Sequence, residues 1–463
     1  MENVLVSFRE ERRMERYAEQ QLLEWKNNPL RKPLLIMGAR QVGKTWLMQE
    51  FGRKYFREVA FISFDSNENM RRAFAGGYDV QRLLLLLQAE TGCNLDPQET
   101  LIIFDEVQEC PQALTSLKYF CENAREYHIV AAGSLLGLQV HEGTGFPVGK
   151  VDMMNLYPMT FCEFLEAVGQ EKLVRLLENR DWELVNVFAT RLAELLKQYY
   201  FVGGMPEAVD AFVRTLNFTA VRRVHQTLLD GYRRDFCKHA PAEIATRISM
   251  IWNSIPGQLS RENKKFICNE VGPGMRMRDV ENALQWLVDA GLVHAVSRVT
   301  KAAFPPAAYR DRVFKLFFVD VGLLGAMADL QARTIVEGNA IFTEFKGALA
   351  EQFVQQQLRA VGERELFYWT SRDSDCEIDF AFGCGASFVP VEVKAEINLH
   401  SKSLMTFCRK QDVPLALRTS LSPFRISNPP KGKEGGTFTL VDVPLYGIEQ
   451  AYHVCEQIQT AQP

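Results

Sequence analysis

The run Gly38-Ala39-Arg40-Gln41-Val42-Gly43-Lys44-Thr45 has the make-up of a phosphate cradle. Its glycines let successive backbone N–H groups converge on phosphate oxygens. Lys44 puts a positive charge near the terminal phosphates of a nucleotide, and Thr45 offers a hydroxyl to Mg2+. Further along, the apolar run Leu101-Ile102-Ile103-Phe104 leads straight into Asp105-Glu106. An acid pair at a strand end suits the same chemistry: Asp105 is placed to hold Mg2+ through water, and Glu106 to orient or deprotonate the water that attacks the terminal phosphate. Ser134 closes the next apolar run. It reads either as a polar sensor of that phosphate or as a helix N-cap before Leu135-Leu136. The chemistry expected of these residues is ATP binding and hydrolysis with Mg2+.

A second constellation lies near the other end: Glu351 in a helical pattern, Asp379 at the end of one expected strand, then Glu392-Val393-Lys394 on the next. Side chains alternate along a strand, so Glu392 and Lys394 share a face, and a hairpin would set Asp379 beside them. Two carboxylates and an ammonium so gathered can bind one or two Mg2+ ions on Asp379 and Glu392, polarise a phosphodiester and generate hydroxide, with Lys394 positioning or activating the water. The same groups could instead form a structural ion-pair cluster that does no cleavage. Cys376 and Cys384 flank the set as space fillers, and Lys402 reads as a solvated charge after the last strand.

The elements that must hold these residues follow from hydrophobic patterning. Residues 1–30 alternate charged and apolar positions and read as one amphipathic helix. Strand-like Leu34–Met37, helical Trp46–Phe51 and strand-like Val59–Phe64 make a βαβ unit around the glycine loop. A helix through Leu83–Leu87, the Leu101–Phe104 strand, a helix near Leu114–Cys121 and a strand at His128–Ala132 continue the alternation, which implies a buried parallel sheet. From Phe161 to Phe236 the pattern is helical, broken at Gly203-Gly204-Met205-Pro206. After Asp320 the chain reads as a helix around Phe345–Leu358, then strands at Phe367–Thr370, Glu377–Phe382 and Phe388–Lys394.

Between these two α/β regions, residues from Ile244 to Lys315 have the rhythm of a winged helix. One helix runs into Phe266, a second opens at Arg278-Asp279-Val280, and Ala290-Gly291-Leu292-Val293 leads into a strand pair. Such a module can dock a helix in DNA, with Lys264, Lys265, Arg276 and Arg278 on phosphates and Arg298 and Lys301 on the wing. It can equally serve as packing, because Asp279, Glu281 and Asp289 share the second helix.

At 463 residues the chain is too long for one ordinary domain. A net charge of −4 excludes wholesale attraction to nucleic acid and leaves only local basic patches. The ten cysteines, among them Cys93, Cys110, Cys121 and Cys162, form no CxxC pair, so neither a zinc site nor a disulfide framework is signalled. No apolar run is long enough to span a bilayer, and a cytoplasmic protein is expected.

The acid pair, the additional strand between loop and acid pair, and the helices that follow resemble the AAA-type branch of P-loop ATPases. Leu156-Tyr157-Pro158-Met159-Thr160-Phe161, Gly203-Gly204-Met205-Pro206-Glu207, Lys315-Leu316-Phe317-Phe318-Val319-Asp320-Val321-Gly322-Leu323-Leu324 and Val391-Glu392-Val393-Lys394 extend the likeness. They resemble a prokaryotic family of AAA-type ATPases fused to a C-terminal nuclease-like domain of unknown function. Lys150 stands after Gly149 where that family's pattern has Arg; it keeps the charge but loses bidentate geometry. Arg233 and Arg234 are other candidates for a trans-acting cation, which would imply a homo-oligomer, or are plain exposed charges. Glu351, Asp379, Glu392 and Lys394 resemble in order the PD-(D/E)xK nuclease signature, with Ile378 at its proline position, and the resemblance implies that the helical Glu351 also helps bind the metal with Asp379 and Glu392.

The resemblance implies an α/β multidomain chain: a P-loop AAA-type core (1–160), a helical lid (161–240), a winged-helix module (241–325) and a PD-(D/E)xK nuclease-like domain (335–463). It implies an ATPase cycle that controls a DNA-directed C-terminal site. The alternatives are a nucleotide-switched regulatory or DNA-binding protein without cleavage, and a toxin-like or defence protein.

Overall fold

The computed structural model describes residues 15–134, 146–261, 264–337, 343–362, 364–371, 376–397, 401–429 and 437–461. Two compact units emerge. The smaller comprises the described residues up to Tyr157 with Gln285–Leu292, and the larger those within Pro158–Leu284 and Val293–Pro463.

The smaller unit is a parallel sheet of β1 (Leu34–Met37), β2 (Glu58–Ser63), β3 (Thr100–Asp105), β4 (His128–Ala132) and β5 (Asp152–Asn155), in the order β2-β3-β4-β1-β5. Every residue of β3 and β4 is buried, as continuous apolar strands covered on both faces require. Helices Glu68–Ala75, Val80–Thr91 and Pro111–Asn123 pack around a core that includes Ile62, Phe64, Phe104, Phe120 and Ala131. Their starts are marked locally: the Asp79 carboxylate accepts the Arg82 N–H at 2.8 Å, and Pro111 opens its helix. The amphipathic helix expected over residues 1–30 runs only from Ala18 to Asn27 among the described residues, burying Leu22 and Trp25. Strand β5 has no counterpart in the sequence reading, because Asp152-Met153-Met154-Asn155 is a four-residue edge strand bounded by polar residues.

The larger unit carries a mixed sheet of β6 (Val293–Val299), β7 (Arg310–Phe318), β8 (Phe367–Thr370), β9 (Glu377–Cys384), β10 (Ser387–Val393), β11 (Leu415–Ser420), β12 (Arg425–Ser427) and β13 (Thr439–Pro444), in the order β12-β13-β11-β10-β9-β8-β6-β7. Strands β6 and β7, expected as a separate wing, belong to this sheet: β6 pairs antiparallel with β7 and parallel with β8, Ser297 opposite Phe367. The last expected strand is likewise followed by β11, β12 and β13. Lys402 therefore opens a helix, Lys402–Gln411, inside the domain and is exposed there.

Helices expected as a lid pack into this same unit. Phe161, Tyr199 and Phe353 meet edge to face, Tyr199 and Phe353 at 5.7 Å between ring centroids. A buried polar lattice ties the same helices together. Tyr199 donates to the Met159 carbonyl at 2.5 Å and accepts from Gln356 at 3.0 Å and Gln357 at 3.2 Å. Asp320 accepts from the Gly204 N–H at 2.6 Å, the Leu323 N–H at 3.0 Å and Gln356 at 3.1 Å. A Cβ on Gly203 would come within 2.2 Å of the Asp320 carboxylate, so the Gly-Gly turn is what lets that carboxylate in. No described helix is long and apolar enough to cross a membrane.

Candidate functional site

The loop Gly38–Thr45 joins β1 to the helix that begins at Lys44. Gly38, Gln41 and Gly43 all take positive φ, the conformation that turns successive N–H groups inward. At Gly38 a Cβ would lie 2.2 Å from the Leu156 carbonyl, so only glycine fits where β5 leads away. Lys44 is 7% exposed and folds back on the loop, donating to the Gly38 and Ala39 carbonyls at 2.8 Å each. Burial pulls its ammonium down to about 8, partly offset by Glu106 and Asp105 and reinforced by Arg40.

The strand order explains how the acid pair reaches the loop. β4 lies between β1 and β3, so residues leaving β1, β4 and β3 emerge side by side at one edge of the sheet. There the Thr45 hydroxyl donates to Asp105 at 2.9 Å, Ser134 donates to Glu106 at 3.2 Å, and Gln108 also donates to Glu106. Glu106 takes a left-handed φ of 49°, a conformation disfavoured for a non-glycine residue. Burial raises the Asp105 carboxyl above its ordinary range, with the Thr45 hydrogen bond opposing it. Thr45, Asp105, Glu106 and Ser134 thus converge as the sequence suggested. The N-cap reading of Ser134 concerns residues 135–145, which lie outside the described residues.

Two partners of this site were missed. Arg16 is buried and donates to the Val42 carbonyl at 2.9 Å and the Tyr157 carbonyl at 2.7 Å, bracing the loop. Its one signal was an arginine ahead of an amphipathic helix, which looks like any solvated charge. Gln108 follows the acid pair closely enough to have been suspected. The trans-acting candidates lie in ordinary surroundings: Lys150 pairs with Glu122 at 2.9 Å, Arg233 pairs with Asp230 at 3.1 Å, and Arg234 is exposed.

In the larger unit, β9 and β10 form the expected hairpin. Val391 pairs with Phe380, which sets Asp379 beside Glu392, and Asp379 accepts the Val393 N–H at 2.8 Å. Asp379 is the third residue of β9 and not its end, because the strand begins at Glu377 and runs on to Cys384. Lys394, one residue past β10, reaches Glu392 at 2.6 Å. Glu351, on the helix Thr343–Val361, joins the cluster, but its partners are lysines: Lys264 pairs with one oxygen and Lys315 lies 3.6 Å from the other. Lys315, on β7, also pairs with Glu377 and lies 5.0 Å from the Tyr368 ring centroid.

The electrostatics follow from burial and these pairs. Burial raises Glu351, but Lys264 and Lys315 outweigh it and hold the carboxyl below its ordinary range. Asp379 is pushed well up by burial and by its neighbours Glu351 and Glu392. Glu392 is raised by burial against the pull of Lys394. Burial lowers Lys315 and Lys394, yet the carboxylates around each more than reverse it. Among the described residues no group of three or more His, Cys, Asp or Glu is gathered to hold a metal ion, which departs from the set Glu351, Asp379 and Glu392 read from the sequence. The physical reason is the lysine pair on Glu351.

The expected phosphate contacts are partly spent. Lys264 is mostly buried on Glu351, and Arg298 pairs with Asp311. Lys301 sits against the Tyr309 ring, and Lys265 bridges to Lys315 through the backbone. Arg276 and Arg278 are exposed at the start of the helix Met277–Asp289. Cys376 is half buried, with its thiol 3.5 Å from the Ser403 carbonyl, and Cys384 is buried at the end of β9, so both are packing groups.

Three family models match in succession: an AAA domain over residues 30–165, and domains of unknown function over residues 193–334 and 346–429. Among curated proteins none matches. Solved structures with some likeness include the Walker-type ATPase of Pyrococcus abyssi, at 15% identity and a TM-score of 0.43 over 68% of this chain and 96% of that one. C. elegans PCH-2 follows at 13% identity and a TM-score of 0.27 over 45% and 66% of the two chains. The Aeropyrum pernix ORC1 protein, in complex with DNA, shows 14% identity and a TM-score of 0.26 over 67% and 91%.

Proposed function

We propose that the smaller unit, an AAA-type P-loop domain, binds and hydrolyses ATP with Mg2+, and that its cycle controls a metal-dependent, DNA-directed nuclease-like site in the larger unit. The observation that carries the first half is the Thr45–Asp105 contact of 2.9 Å beside Lys44 and Glu106. Gly38 to Lys44 would bind the phosphates, with Arg40, Gln41 and Val42 offering backbone N–H groups. Thr45 and Asp105 would hold Mg2+, which when bound neutralises charge on the transferring phosphate. Glu106 is the base, with Ser134 and Gln108 setting its position.

The second half rests on Asp379, Glu392 and Lys394 side by side, with one Glu392 oxygen buried and accepting no hydrogen bond among the described residues. A divalent ion there would polarise a phosphodiester. The exposed Arg276, and Arg278 in a loose 3.7 Å pair with Asp279, would contact a nucleic-acid backbone. The test is incubation with plasmid, linear and single-stranded DNA plus Mg2+ or Mn2+, with and without ATP, comparing wild type with Lys44→Ala and Asp379→Ala. Cleavage lost in Asp379→Ala and altered by ATP only when Lys44 is present is the expected result.

One observation favours a second reading. The lysines and carboxylates of the larger unit largely neutralise one another, as they would in a nucleotide-switched binding protein that does not cleave. In that case Asp379→Ala would leave the DNA intact in every arm and biological activity unchanged.

A further inference from the structure

Arg16 meets the phosphate loop at its middle, away from the Lys44 end. It is 6% exposed, and its side chain spans two backbone carbonyls far apart in sequence: one terminal nitrogen donates to Val42 at 2.9 Å and the other to Tyr157 at 2.7 Å. The Tyr157 carbonyl is a fixed point. β5 pairs with β1 up to Asn155 opposite Met37, the Leu156 N–H continues onto the Met37 carbonyl at 2.8 Å, and Gly38 packs without a Cβ against the Leu156 carbonyl. The root of Arg16 is fixed as well. Its own carbonyl accepts the Glu19 N–H at 2.9 Å at the head of the helix Ala18–Asn27, which buries Leu22 and Trp25.

The Val42 carbonyl has no such frame of its own. It lies between Gln41, at φ 66°, and Gly43, at φ 94°, both left-handed, a conformation that a non-glycine residue such as Gln41 keeps only where its surroundings hold it. The peptide unit joining Val42 to Gly43 is planar and trans, so its C=O and N–H point in opposite directions. A guanidinium that holds the carbonyl on one side therefore aims the Gly43 N–H to the other, the side on which a loop of this kind meets the α- and β-phosphates. Because the guanidinium is planar, with its terminal nitrogens at a set separation, it holds the loop at one distance from the end of β5.

We propose that Arg16 is a positioning residue for nucleotide binding, a strut that sets the Val42–Gly43 peptide against the end of β5 so that the Gly43 N–H is preset for the β-phosphate. The proposal rests on the ATP-binding reading above and adds to it a residue that lies outside the loop, ahead of the first strand. The strut acts on a phosphate common to ATP and ADP. It therefore governs how tightly either is held and leaves the attack on the terminal phosphate to Glu106.

The test uses the full chain with Mg2+, reading ATP and ADP affinity by isothermal titration, and KM and kcat by steady-state phosphate release. Arg16→Met keeps the length of the side chain without its donors. It should weaken ATP and ADP by the same factor, about 10- to 100-fold, and raise KM alike, with kcat at saturating ATP within about threefold of wild type. Arg16→Lys, whose ammonium lacks the planar fork, should fall between the two and decides the matter if Arg16→Met does not match wild type in circular dichroism. A folded variant with wild-type affinity overturns the proposal, as does a loss confined to kcat or a loss for ATP without one for ADP. A wild-type protein that binds ATP no better than Lys44→Ala would refute the nucleotide-binding reading itself.

Discussion

ATP binding should draw a proton onto Lys44. In the nucleotide-free protein burial lowers this ammonium from 10.5 to about 8, while Asp105 and Glu106 act against the shift. The phosphates of ATP bring several negative charges to the same place, which favours the charged form and returns the group toward its ordinary value. A lowered lysine is charged below its folded value and neutral above it, so the proton missing from the free protein at high pH must be taken up on binding. With the free group near 8, uptake is about 0.1 proton at pH 7, about 0.5 at pH 8 and about 0.9 at pH 9. Because only the charged form binds well, affinity should fall about tenfold from pH 7 to pH 9, or about 1.4 kcal/mol. Isothermal titration in two buffers of different ionisation enthalpy at each pH reads the uptake directly. Lys44→Arg keeps its charge throughout and should remove both the uptake and the slope. An uptake that does not rise between pH 7 and pH 9, or an affinity that is flat across this range, would refute the burial argument.

Glu106→Gln should bind ATP normally and lose about 10²–10⁴-fold in turnover, read as single-turnover phosphate release, because the hydrogen bonds of the carboxylate survive but its basicity does not. Lys150→Ala should change turnover by less than about twofold, since an exposed pair with Glu122 contributes little. Asp320→Asn should destabilise the larger unit by about 2–4 kcal/mol in denaturant titrations followed by tryptophan fluorescence. Its new amide donor would face the Gly204 and Gln356 donors that the carboxylate now accepts.

The smaller unit was legible because its chemistry is local. A glycine loop needs residues adjacent in sequence, and fully buried parallel strands announce themselves as unbroken apolar runs such as Leu101–Phe104. The larger unit was legible only in part. Leu415–Ser420 is entirely buried yet ends in Arg418-Thr419-Ser420, so its pattern breaks where the strand continues. Arg418 is accommodated there by a bidentate pair with Asp442, at 2.6 and 3.0 Å, on the neighbouring strand, a partner that no window of sequence contains. Lys315 hid for the converse reason. A single lysine inside Phe314–Phe318 looks like an edge residue, and only the sheet reveals it as the counter-ion of Glu351 and Glu377.

The two sites differ in what they demand of an incoming phosphate. Lys44 is held by neutral carbonyl oxygens, so a nucleotide exchanges weak partners for strong ones and can bind directly. In the larger unit three ammonium groups, on Lys264, Lys315 and Lys394, face four carboxyls, on Glu351, Glu377, Asp379 and Glu392. Among the described residues no cation of this cluster is uncommitted, and a phosphodiester arriving alone would meet carboxylates. A divalent ion on Asp379 and Glu392 would reverse that balance and release Lys394 from Glu392. If the larger site takes a metal and a nucleic acid as proposed, the metal must bind first, whereas the nucleotide site needs no such order. Order-of-addition experiments with DNA and Mn2+ separate the two cases: DNA bound at this site before Mn2+ with unchanged affinity would contradict the charge argument.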